Sequence, residues 1–159
     1  MKHAAICLAM FGLTINPANA LECTQEKAIY QNGNGFELRF IAGEYATTPY
    51  LLNLTNLTSG ETYAGQIVYG NGFSVPHTSI GSGCKINEYN TYDCKLDIYE
   101  DLIYQINNNH AEMGVPGMGT PAVKAVLFPG LQYQFYMAFR SSPDTDLPLD
   151  AFKISACSE

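Results

Sequence analysis

His77, His110 and the nearby Ser79 are the side chains of this chain that could do acid–base or nucleophilic chemistry. Such chemistry needs a nucleophile beside a base, and a third group that orients the base. Each histidine instead stands in a loop-like setting of Ser, Thr or Asn. No Gly-x-Ser-x-Gly elbow, His-Glu-x-x-His pair or phosphate-cradling glycine run is present. Asp144, Asp146 and Asp150 could offer hard oxygens to calcium, but the spacing lacks the central glycine and closing glutamate of a calcium loop. Pro143 and Pro148 make that stretch read as plain loop, and Glu100-Asp101 reads as a solvated pair. The expectation is a non-enzymatic protein with no cofactor and no metal.

Cysteine chemistry points the same way. Cys23, Cys84, Cys94 and Cys157 form an even set without a Cys-x-x-Cys, which predicts two disulfides in an oxidising compartment. The first twenty residues support that compartment. Lys2, the apolar run Ala4–Leu13 and the small-x-small ending Ala18-Asn19-Ala20 read as a signal peptide over residues 1–20, with Cys7 inside it. The run is too short to span a bilayer, and nothing later reads as a membrane span. A secreted or periplasmic location follows. The formal charge of −7 sets the chain against nucleic acid and anionic lipid, whose fields would repel it, and favours a cationic partner.

The elements that must position these residues read as strands. Leu131, Tyr133, Phe135, Met137 and Phe139 alternate with Gln132, Gln134, Tyr136, Ala138 and Arg140, which predicts a half-buried strand after the Pro129-Gly130 turn. Gln31–Gly35 is a turn signal, and Phe36, Leu38 and Phe40 alternate behind it. Residues 95–107 carry Ile98, Leu102 and Ile106 at helical spacing and predict one short helix. Gly, Asn and Pro punctuation recurs along the rest. The fold class is all-β with that one helix.

One order of landmarks occurs twice: Cys, Thr-Pro, Leu-x-x-Gly-x-x-Tyr, Cys. Thr48-Pro49 answers Thr120-Pro121, and Leu57, Gly60 and Tyr63 answer Leu127, Gly130 and Tyr133. The repeat predicts two related disulfide-closed modules, 21–84 and 94–159, with 85–93 as linker and pairs Cys23–Cys84 and Cys94–Cys157. The alternative is a single β-sandwich with Cys23–Cys157 and Cys84–Cys94. Leu-x-Pro-Gly-x-x-Tyr resembles the tyrosine corner of β-sandwich domains, which would make Tyr63 and Tyr133 structural. Eleven tyrosines and no tryptophan are present. Tyr89, Tyr92, Tyr99 and Tyr104 could form a protein- or sugar-binding face or pack between modules.

Ser59-Gly60-Glu61-Thr62-Tyr63, lying between Cys23 and Cys84, resembles the Ser-Gly-x-x-Tyr motif of bacterial periplasmic inhibitors of c-type lysozyme. That family consists of small β-barrels with cysteines near both ends. The resemblance implies that Ser59 enters the lysozyme cleft while Gly60 and Tyr63 shape the loop. No lysine lies between Tyr63 and Cys84, where the family has one, and Pro129 stands where the second half would need serine. An acidic exported protein would meet a basic enzyme favourably. The functional expectation is therefore a binding protein for a protein or glycan partner. Its sharper form is a lysozyme-type inhibitor, and its other form a carbohydrate-binding module.

Overall fold

Asn32-Gly-Asn-Gly35 turns the chain because the Asn32 side chain substitutes for backbone partners: its Oδ1 accepts the N–H groups of Asn34 and Phe36, both at 3.0 Å. The turn joins β1 (Ala28–Gln31) to β2 (Phe36–Tyr45), and β3 (Thr48–Asn56), β4 (Thr62–Tyr69) and β5 (Pro76–Ser82) extend the antiparallel meander. A small hairpin of β6 (Lys85–Ile86) and β7 (Tyr92–Asp93) forms a second sheet, bound to β4 by Tyr92 N–H donating to Gln66 Oε1 at 2.9 Å. Then β8 (Leu96–Leu102) returns to pair with β5. Beyond Ile103 the chain runs on as β9 (Tyr104–Asn107) and folds back as β10 (His110–Met113). β11 (Ala125–Leu127), helix α1 (Leu131–Phe139) and β12 (Ala151–Cys157) complete the fold. The computed structural model describes residues 22–45, 48–69, 76–89, 91–107, 110–140 and 146–159. The leader expected at 1–20, Asp144 and the turn at 70–72 lie outside them.

Ten strands form one sheet in the order β10-β9-β11-β12-β1-β2-β3-β4-β5-β8. Because β8 and β9 are one continuous stretch, pairing with β5 through one half and with β11 through the other, the sheet nearly closes into a barrel. Alternate residues of β2 and β3 point inward: Phe36, Leu38, Phe40, Tyr50, Leu52 and Leu54 are all buried. Burying each such side chain is worth about 1.5–3 kcal/mol. At one end, Tyr30 donates its hydroxyl toward Gln25 Oε1 (2.9 Å) and Val123 O (3.2 Å), while Val123 N–H donates to the same Gln25 oxygen. That network satisfies the Tyr30 hydroxyl and the Gln25 oxygen, while Gln25 Nε2 has no partner among the described residues.

The all-β expectation with one short helix holds, and the helix sits elsewhere than expected. Residues 95–107 are the bent strand β8–β9. The register slips between Ile80 and Gly81 of β5, which leaves Ile98 opposite no partner and buries both Ile98 and Tyr99. A bulge breaks alternation and so imitates helical spacing. The expected strand at 131–139 is α1. Leu131 and Phe135 are buried with Phe139 packed against the core, a spacing of four, whereas Tyr133 is 65% and Met137 41% exposed. Every fourth residue belongs to the period-2 set as well, which is why the two patterns overlap. Asp150 decides between them. Its carboxylate accepts the N–H groups of Gly130 (2.9 Å) and Gln132 (2.8 Å), meeting the free donors and positive end of the helix.

The disulfides are Cys23–Cys157 and Cys84–Cys94, replacing the pairing expected from the repeat. Strand pairing is the reason: β1 runs antiparallel to β12 with Ala28 opposite Cys157, and this carries Cys23 to the other end of the chain. Segments 21–84 and 94–159 share the sheet through that ladder, through β11 beside β9 and through β5 beside β8. Neither segment is closed by a disulfide of its own. The outcome is one nearly closed sheet, neither the two modules nor two facing sheets.

The two bridges should differ in weight. Cys23–Cys157 spans 134 positions and Cys84–Cys94 spans 10. In the chain-entropy account the first is worth about 5 kcal/mol and the second about 3. Urea denaturation of the Cys23→Ser/Cys157→Ser and Cys84→Ser/Cys94→Ser variants should show the larger loss in the first; equal losses would refute the ordering. Alkali should also unfold the protein. Burial pushes the Tyr30 hydroxyl up to about 12. Burial also raises Tyr50 and Tyr99. A folded value above the unfolded one, about 10, means that this stability is complete below pH 10 and is lost as pH rises through 12. Urea midpoints should hold to about pH 10 and fall between 10 and 12, and a flat profile would contradict the burial of these hydroxyls.

Candidate functional site

The residues singled out by motif, Ser59 and Gly60, occupy the tip between β3 and β4. Asn56 builds that tip. It is 6% exposed, and its Oδ1 accepts the N–H groups of Thr58 (2.8 Å) and Ser59 (3.1 Å). Its backbone closes the loop as well: Asn56 N–H donates to Glu61 O and Gly60 N–H to Asn56 O, each at 2.8 Å. Ser59 Oγ accepts Glu61 N–H at 3.2 Å. Leu57 N–H donates to Gly35 O of the neighbouring turn at 2.8 Å, which ties the two hairpins together. Gly60 takes φ of 76°, a region that β-carbons disfavour, so glycine fits there at no steric cost. The result is a loop ordered by its own bonds, with Leu57, Ser59, Gly60 and Glu61 exposed.

Tyr63 is not at the tip surface. It is buried, and its ring meets Phe135 edge-on at 5.0 Å and Phe139 at 5.9 Å. Burial pushes its hydroxyl far above the usual tyrosine value, and the Glu61 carboxylate beside it adds to the shift. The motif therefore divides into two exposed residues and one anchor. That anchor is a ring contact with α1, which differs from the hydroxyl-to-backbone bond of a tyrosine corner. The repeated landmark in the second half has another fate: Gly130 also has φ of 76°, but it opens α1, and Tyr133 points to solvent.

The remaining candidates do not assemble. His77 lies exposed on β5 and His110 exposed on β10. Asp150 holds the start of α1. Among the described residues no three of His, Cys, Asp and Glu converge on a point that could hold a metal. The central tyrosines are scattered. Tyr99 is buried against Phe128 with its hydroxyl donating to Leu102 O at 2.8 Å. Tyr92 and Tyr104 are half-buried, while Tyr89 is exposed.

A second exposed group escaped the reading of the sequence: Tyr133, Tyr136 and Met137 on α1. Their spacing of three and four is the signal, and it becomes visible only once residues 131–139 are taken as a helix. They lie at the same end of the barrel as the tip, because Phe135 of α1 touches both Tyr63 and Phe36, at 5.0 and 6.4 Å. Comparison with protein families, curated proteins and solved structures finds no match to this chain.

Loop order can be tested at its centre. Asn56→Ala strips the acceptor from two N–H groups and should cost about 1–3 kcal/mol in urea denaturation, whereas Asn56→Asp, which keeps the oxygen, should cost less. Hydrogen exchange at Thr58 and Ser59 should speed up in the alanine variant alone. Unchanged exchange would mean that Asn56 does not order the tip.

Proposed function

We propose that this chain is an exported, non-catalytic binding protein that engages a protein partner through the Asn56–Glu61 tip. The observation that carries the reading is an exposed loop whose order is fixed in advance by its own hydrogen bonds. A partner that meets such a loop pays little ordering entropy, so its contacts convert more fully into affinity. Export is supported by the two disulfides and by the leader-like residues 1–20. No helix among the described residues is long and apolar enough to cross a membrane.

The sharper form of the proposal is inhibition of c-type lysozyme. The exposed Ser59, next to a glycine at positive φ and in a loop held by Asn56, could enter a cleft. The acidic chain would also be drawn to a basic enzyme. A glycan partner has less support, because of the four central tyrosines Tyr99 is in the core and Tyr92 and Tyr104 are half-buried, which leaves only Tyr89 fully exposed.

Titration of the mature protein into a cell-wall lysis assay with c-type lysozyme is the test. Inhibition by the wild type, weakened about a hundredfold by Ser59→Tyr at an unchanged urea midpoint, is the expected result for a residue central to an interface. Absence of inhibition at micromolar protein overturns the lysozyme form. Binding that survives Ser59→Tyr undiminished overturns the tip as the site.

A further inference from the structure

Helix α1 leaves an apolar stripe in water. Tyr133, Tyr136 (54% exposed) and Met137 stand on the side away from Leu131 and Phe135. The stripe continues onto β8: Leu96 (42% exposed) and Asp97 line one shallow groove together with Tyr133 and Met137. One carboxylate, Asp97, lines it, and two more follow along the strand. Asp97, Glu100 and Asp101 are all exposed on β8, and Glu100 N–H donates to Gln134 Oε1 of the helix at 3.3 Å. Lys95 and Arg140 stand at the two chain ends of the patch, one beside Leu96 and one after Phe139.

We infer that the α1–β8 face is a second contact surface, and that its partner is a cationic protein. Exposed tyrosine and methionine are residue types enriched at protein interfaces, and Asp97 in the groove with Glu100 and Asp101 farther along the same strand gives the face a negative field that complements lysine and arginine. A second copy of this chain would bring a formal charge of −7 against the same carboxylates, so self-association is disfavoured. The inference rests on reading the chain as a protein-binding module. It does not rest on Ser59.

The test uses the full mature chain, with c-type lysozyme and cytochrome c as basic probes and succinylated lysozyme as the charge-reversed control, all by isothermal titration at low salt. Two variants address the face: Tyr133→Ser/Met137→Ser for its apolar part, and Asp97→Asn/Glu100→Gln/Asp101→Asn for its rim. All five positions are exposed, and urea midpoints check that folding is kept. Each variant should weaken binding of a basic probe about tenfold, and the rim variant should also flatten the salt dependence. Binding of no basic probe, equal binding of the succinylated control, or affinity unmoved by both variants overturns the inference. So does a dimer in sedimentation, or binding of a cell-wall oligosaccharide, that the Tyr133→Ser/Met137→Ser variant abolishes. Loss of binding with Ser59→Tyr alone would leave the tip reading standing and this one refuted, and the reverse pattern would do the opposite.

Discussion

A strand edge that meets no neighbouring strand leaves backbone N–H and C=O groups to be satisfied by something else. In this barrel the edge in question belongs to β8, which pairs with β5 on one side only. α1 lies along the other side, and Gln134 supplies the acceptor for Glu100 N–H. The helix closes the barrel end as well, because Phe135 fills the space between Phe36 and Tyr63. Its position in turn depends on Asp150, whose backbone oxygen accepts Phe128 N–H at 2.8 Å while its carboxylate holds the first helical turn. A single acid thus ties the end of β11 and the start of β12 to the helix that seals the seam.

The opposite end is held by different means. Thr24 bridges to Pro121, Gln25 N–H donates to Thr120 O, and Ala122 N–H donates to Cys23 O, so residues 23–25 lie along the loop before β11. Gln25, fully buried, receives both the Tyr30 hydroxyl and Val123 N–H on one oxygen. The Cys23–Cys157 bridge fastens the same region. Aromatic edge contacts run through the interior between these ends, among them Tyr30 with Phe40, Phe40 with Tyr50, and Phe128 with Phe152, at 5.6 to 5.8 Å. Tyrosine carries much of this packing, with the cost that each buried hydroxyl must find a partner or remain without one. Tyr50 has none among the described residues, which gives up part of what its ring contributes.

Local chemistry was legible in the sequence and long-range pairing was not. The turn at Asn32–Gly35 and the alternation of Phe36, Leu38 and Phe40 are encoded within a few residues, and the structure has both. The four-cysteine disulfide set was legible too, but which cysteines meet depends on β1 finding β12, a contact across the whole chain. The landmark repeat misled there, since it matched residues whose surroundings differ. Gly60 and Gly130 do share a backbone conformation. One closes a hairpin and the other opens a helix, because Asp150 waits at the second and not at the first. Of the candidate site, Ser59 and Gly60 were found from their motif, whereas the exposed stripe on α1 was hidden by a period-2 pattern that every-fourth burial also satisfies.

Tyr63 is where the two exposed surfaces meet. It follows the tip by two residues along β4, and its ring packs on the face of α1 that lies opposite Tyr133 and Met137. Buried aromatic contacts of this kind resist displacement, because protein interiors are close-packed and a shifted ring must open a void. The tip and the helix stripe are therefore held in fixed relation. A partner touching both would gain from two contacts whose spacing has already been set by folding, and neither would need to be ordered on binding. Fold class alone could not have indicated this, since barrels serve many functions. The indication lies in a loop ordered without a partner, an apolar stripe left in water, and a core residue that joins them.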